Sequence, residues 1–279
     1  MAVLRRPYAR ARRLARELLW ECGVDEPSKI DPLLIVGRRK IIVIYGKLDG
    51  ATAQILRQGE RAIIRVSEQI VQIGRRRFTI AHELGHYLLG HRIPTEMELG
   101  TTAPFSAHQE READVFAVEF LMPEAWVAPM CTVAPTLAAL HDIAKTFRTS
   151  IVASAVRFVE LSSARCAVVY SEGGNVVWAK RSRTFPGRIP EQFKIGAGSI
   201  AHDLHVHALV EASSRLVPAS AWLGSFAPDT IGAEFIEHAE VVPEPGWGGV
   251  LSLLSEGEHE PVDHRSFTRS HGASLRTNQ

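Results

Sequence analysis

The segment Phe78-Thr79-Ile80-Ala81-His82-Glu83-Leu84-Gly85-His86-Tyr87-Leu88-Leu89-Gly90 leaves its surroundings little freedom. Apolar residues recur at helical spacing from Phe78 to Leu89, and Gly90 is a stop signal, so residues 75–89 are expected to form a helix buried in a core. His82 and His86 lie four residues apart and share one face of that helix. Polar groups on a core helix need partners, and one cation shared by both imidazoles supplies them. Glu83 is offset beside such a cation, where a carboxylate takes a proton from water. Two histidines and a glutamate on one turn also occur as plain surface, so the apolar flanks carry much of the weight.

A catalytic zinc takes three protein ligands and keeps an open position. His91 follows His86 by five residues, about 140° around a helix, and the spacing is not that of a metzincin. A second helix offers a better third ligand. Ser106-Ala107-His108-Gln109 has the form of a capping box, and the helix runs to Met122 before Pro123. Ala113, Asp114, Ala117 and Leu121 fall within about 60° of Glu110 on its wheel. Glu110 thus sits on a stripe of small and apolar residues, with Asp114 placed to accept the spare N–H of His82 or His86. Glu112 and Glu119 fall about 160–180° away and are expected to face solvent. The plain alternative for Glu110 and Asp114 is a pair of solvated acids. His202, His205 and His207 read as a surface helix, without a metal.

The remaining chain divides by pattern. Leu14, Leu18 and Cys22, closed by Gly23, predict a first helix. Arg5, Arg6, Arg10, Arg12, Arg13 and Arg16 precede the first acid, which suits a solvated basic face; an organelle transit peptide is the other reading. Runs at 40–45, 52–57 and 61–66 predict a small antiparallel meander, followed after the first core helix by a loop at 93–104. Residues 135–162 predict short helices, with 137–147, 148–150 and 151–158 in a helix-turn-helix layout. Lys145, Arg148, Arg157 and Arg165 outnumber Asp142 and Glu160 there by only two, thin for tight DNA binding; a structural linker or a docking surface fits as well. Strands at 166–170 and 176–179 flank a turn, mixed α/β structure continues to Leu254, and the polar tail is expected to be disordered. Trp178, Trp222 and Trp247 read as core or turn residues.

Composition narrows the classes. A length of 279 residues suits about two domains, or three small ones. No apolar run approaches the roughly 18–20 residues of a spanning helix. Three scattered cysteines without a C-x-x-C pair argue against disulfides and thiolate zinc, and favour the cytoplasm. Lys and Arg total 32 against 31 acids, without the surplus of a strongly basic nucleic-acid binder.

Arg77-Phe78-Thr79-Ile80-Ala81-His82-Glu83-Leu84-Gly85-His86, then Glu110-Arg111-Glu112-Ala113-Asp114-Val115-Phe116-Ala117 and Leu121-Met122-Pro123, resembles the ImmA/IrrE metallopeptidases. The likeness spans about residues 75–125 and rests on two separate motifs. It implies an α+β fold with a minimal gluzincin-like metallopeptidase domain over 1–130, a helix-turn-helix-like helical segment over 131–162 and a GAF-like α/β sensor domain over 163–254. Residues 255–279 remain as the disordered tail. It implies zinc on His82, His86 and Glu110, Glu83 as general base, and Asp114 behind the ligands. The same ligand types accept Mn, although tetrahedral His₂Glu favours Zn. It further implies cleavage of a helix-turn-helix transcriptional repressor, relieving repression under stress such as radiation or DNA damage. Two other readings stay open: a DNA-binding regulator with a structural or vestigial zinc, and a small-molecule sensor acting through 165–254. The intact Glu83 favours the enzyme, because a structural zinc is usually closed by four ligands.

Overall fold

The computed structural model describes residues 8–48, 50–59, 61–98, 105–207, 213–223, 233–244 and 247–256. The expected tail, apart from the end of the last strand, lies outside them, as do Arg5 and Arg6. The fold is mixed α+β with two sheets.

The first layer begins with helix α1 (Ala9–Glu21), which buries Ala11, Ala15, Leu18 and Leu19. Its arginines are not all solvated: Arg12 and Arg16 reach Glu119 at 3.4 and 3.3 Å. Helix α2 (Pro32–Arg38) is capped by Asp31, which accepts from the Leu33 and Leu34 N–H groups. Strands β1 (Ile41–Gly46), β2 (Ala53–Gln58) and β3 (Arg61–Ser67) follow. They are not the expected antiparallel meander. The order is β1-β3-β2, with β1 parallel to β3 and β2 antiparallel to it. The β2–β3 hairpin is local, and because β1 ends and β2 begins at the same end of the sheet, β3 can take the centre between them. Helix α3 (Ile73–Leu89) packs on this sheet and helix α4 (Ala107–Leu121) packs on α3. Gly85 allows that approach, since a Cβ there would lie 3.0 Å from Phe116 Cδ1 and 3.3 Å from the Ala113 backbone. The 93–104 loop contains a short 3₁₀ turn at Glu96–Glu98, and residues 99–104 lie outside the described ones.

After the short helix α5 (Glu124–Val127), helices α6 (Leu137–Phe147) and α7 (Ile151–Leu161) form an αα pair. Thr136 and Ser150 cap them, and Arg148 turns the chain in the left-handed region at φ 54°. The second sheet has the order β5-β4-β8-β7-β6 and is antiparallel throughout. Its strands are β4 (Cys166–Glu172), β5 (Asn175–Arg181), β6 (Ser213–Pro218), β7 (Glu234–Glu244) and β8 (Trp247–Glu256). Side chains alternate between its faces. Cys166, Val168, Leu251 and Leu253 join the core that also holds α1, α3, α4, α6 and α7. Ala167, Val169, Val250 and Leu254 join a second core under helices α8 (Ile200–His207) and α9 (Ser220–Leu223). Trp222 is fully buried there, as expected of a core residue. Among the described residues no single helix is long and apolar enough to cross a membrane.

Candidate metal centre

Helix α3 carries its motif deep in the core: Ile80, Ala81, Leu84 and Leu89 are buried around it. His86 is 1% exposed, Glu83 8%, and the His82 side chain 16%. Across the α3–α4 contact, Ser106 and Gln109 form the expected capping box at the start of α4, and Glu110 lies in its first turn. Glu110 then reaches back over α3. Its Oε2 lies 3.1 Å from His82 Nε2 and 3.8 Å from His86 Nε2, and the two imidazole nitrogens are 3.0 Å apart. Asp114, one turn on, accepts from His82 Nδ1 at 3.0 Å. The structure therefore brings together all five residues singled out in the sequence: His82, Glu83, His86, Glu110 and Asp114 line one cleft.

The donor set fits a divalent cation. One atom from each of His82, His86 and Glu110 lies within 4.8 Å of the other two. Ligands held tetrahedrally about 2.0–2.1 Å from zinc are about 3.3 Å from one another, and the three separations here bracket that value. The electrostatics agree. Burial lowers the His86 imidazole to about 3, helped by His82 and His91, which keeps it neutral with a lone pair to give. Burial also opposes charge on His82, but Asp114, Glu83 and Glu110 outweigh it and hold the imidazole above its usual range. Those acids thus favour positive charge at the place a cation would occupy. Burial raises the Glu83 carboxyl to about 7; Glu110 adds to this, while His82 and an Ile55 backbone hydrogen bond oppose it.

The cleft has a volume of about 580 Å³, and its walls include Thr52–Ile55 of the β2 edge, Phe78, Pro94 and Phe105. Thr52 O accepts from Ser67 N–H, so the alternation turns the backbone groups of Ala53, Ile55 and Arg57 away from β3. Arg57 N–H is already bonded to Pro94 O at 2.9 Å. The part of this edge nearest the histidines is Ala53–Ile55.

Two acids do not lie where the helix wheel puts them. Glu112 is not in solvent: its side chain is 16% exposed and meets His91 Nε2 at 3.3 Å. Glu119 is fully buried, bonded to Arg157 at 2.7 Å as well as to Arg12 and Arg16. A wheel ranks faces of an isolated helix, whereas α4 is covered by α1 and α7 on the side away from α3. His91 is also part of the surroundings of the site, through His86 Nδ1 at 2.9 Å. Its signal was the helix-ending Gly90, which bends the chain back beside His86. Of the second histidine group, His202 and Asp203 stay at the surface of α8, but His205 turns onto Ser171 Oγ at 3.0 Å.

Two histidines from one helix and a glutamate from the next form a group that could hold a metal ion, with a buried carboxylate beside them, on an α+β frame. Residues 37–159 match the Peptidase_M78 family model, described as the IrrE N-terminal-like domain, so this part of the chain is similar to the ImmA/IrrE family. The whole chain is similar in fold to a solved Mycobacterium tuberculosis transcriptional regulator, with TM-score 0.58 and 15% identity over 95% of this chain and 93% of that one. No curated protein matches the sequence.

Proposed function

We propose that the chain is a zinc-dependent endopeptidase that cuts a helix-turn-helix transcriptional repressor and so switches on a stress response in the cytoplasm. Within the family, the reading is a regulator of the IrrE (PprI) kind, the radiation-response regulator of deinococci. The observation that carries it is the convergence of His82 Nε2, His86 Nε2 and Glu110 Oε2 with Glu83 left unligated in the same cleft. In the proposed division, residues 1–130 are the peptidase domain, 131–162 a helical segment, 163–254 a GAF-like sensor and 255–279 a tail.

Zinc bound by three protein groups supplies a Lewis acid that activates water and polarises a carbonyl; Mn is the possible substitute. Glu83, buried and raised to about 7, is suited to take a proton from the attacking water and hand it to the leaving amine. Asp114 accepts from His82 Nδ1 and so would leave Nε2 free to bind a cation. The Ala53–Ile55 edge of β2 lines the cleft and suits a substrate held extended by strand addition. No oxyanion donor is assigned.

The test is cleavage of candidate repressors by purified protein, with metal analysis of the same samples. Glu83→Gln is expected to retain zinc and lose cleavage, whereas His86→Ala loses both. Full proteolysis by the Glu83→Gln protein would remove Glu83 from the mechanism.

The fold likeness to a transcriptional regulator favours a second reading, direct DNA binding through α6 and α7 with a zinc that cuts nothing. Local chemistry argues against it. Nearly all of α7 is buried or half-buried, its one exposed residue is Glu160, and Arg157 is buried against Glu119. A gel-shift titration at varied salt separates the two: tight, steeply salt-dependent binding would favour DNA.

A further inference from the structure

We propose that His91 and Glu112 are positioning residues that fix the tautomer and orientation of His86; this rests on reading His82, His86 and Glu110 as zinc ligands. The hydrogen positions follow from the partners. A carboxylate oxygen accepts, so in the contact with Glu112 at 3.3 Å the hydrogen is on His91 Nε2. With that hydrogen on Nε2, His91 Nδ1 is the acceptor that faces His86 Nδ1 at 2.9 Å. His86 therefore donates there and its Nε2 is a lone pair. Asp114 enforces the same tautomer on His82 from the other side. The two Nε2 atoms are 3.0 Å apart, and Glu110 Oε2 lies 3.1 Å from that of His82. The two braces thus orient both rings so that each turns its Nε2 toward the place a cation would occupy.

The local fold is built for this contact. Gly90 sits at φ 72°, and the left-handed turn brings His91 N–H to His86 O at 3.1 Å. A Cβ at position 90 would meet nothing within 4 Å, so the backbone conformation alone calls for glycine. The His91 side chain is 6% exposed, and its ring meets His86 edge-on with centroids 4.9 Å apart. Phe105 stacks on His86 at 3.7 Å. His108 Nδ1 approaches Glu112 from the solvent side at 3.4 Å, adding a partner to that carboxylate without reaching His91's place in the chain.

The experiment measures zinc affinity of the full-length protein by competition with a chromophoric chelator. Wild type is compared with His91→Ala, His91→Gln, Glu112→Ala and the double variant of His91→Ala with Glu112→Ala. Removing His91 is expected to weaken zinc binding by about 10–100-fold, and removing Glu112 by less. The double variant should be no weaker than His91→Ala alone, because Glu112 acts through His91. Glutamine at 91 offers an acceptor oxygen to His86 and an amide to Glu112, and should restore most of the affinity. If the His91→Ala chain does not fold, Glu112→Ala must lose affinity while His91→Gln keeps it. Wild-type affinity in His91→Ala, or losses that multiply in the double variant, would overturn the proposal. A wild-type protein that takes up no zinc would instead overturn the ligand assignment beneath it.

Discussion

Asp114 and Glu83 are both carboxylates within reach of His82, and their settings assign them opposite duties. Asp114 is half exposed and bonded to His82 Nδ1, so it holds a ring. Glu83 is enclosed, and burial makes it a group that exchanges a proton near neutral pH. Asp114→Ala should therefore weaken zinc binding about 10–100-fold, read by chelator competition, while Glu83→Gln leaves the affinity nearly unchanged. Equal losses in both would mean that the two acids share one role. At this scale the sequence revealed His82, His86, Glu110 and Asp114, because each contact spans a single turn or faces across one helix pair. It did not reveal His91 and Glu112, because wheel angles stop applying where Gly90 reverses the backbone.

Glu119 shows what is decided by elements rather than residues. It is 0% exposed and joins α4 to α7 through Arg157 and to α1 through Arg12 and Arg16, with the Glu124 N–H as a further donor. Arg157, itself 1% exposed, also donates to Met122 O. Glu119→Ala leaves that guanidinium buried without its counter-charge and should destabilise the chain by about 3–5 kcal/mol, measured by urea melting. Pairing Glu119→Leu with Arg157→Met should recover much of the loss. Gly74 is a second joint between elements. A Cβ there would lie 2.7 Å from Ser150 N and 2.8 Å from Thr149 C, both backbone atoms. Gly74→Ala must push the α6–α7 turn off α3, for about 1–3 kcal/mol by the same measurement; an unchanged melt would show that the turn yields. Such joints are invisible in a linear pattern, as was the parallel pairing of β1 with β3. Periodicity identifies a strand without naming its neighbour.

For the whole molecule, a bound cation is also a stabiliser. Ion present at a thousand times its dissociation constant should add about 4 kcal/mol, so chelation is expected to lower the melting temperature, followed by calorimetry. A chelator-insensitive melt would mean that the site is not loaded. The α+β class and both helices of the site were readable because their patterns are long and regular. In the third region the first hairpin was readable, but the strand order β5-β4-β8-β7-β6 was not, since β4 is buried on both faces and shows no alternation of polarity: Cys166 to Tyr170 is apolar at every position. That burial has a practical corollary. Val168, Leu251 and Leu253 face α7 and belong to the same core as Phe158 and Val159. A chain stopped near residue 162 would surrender that cover, and the bare greasy wall should send the fragment into inclusion bodies, however well its first layer folds.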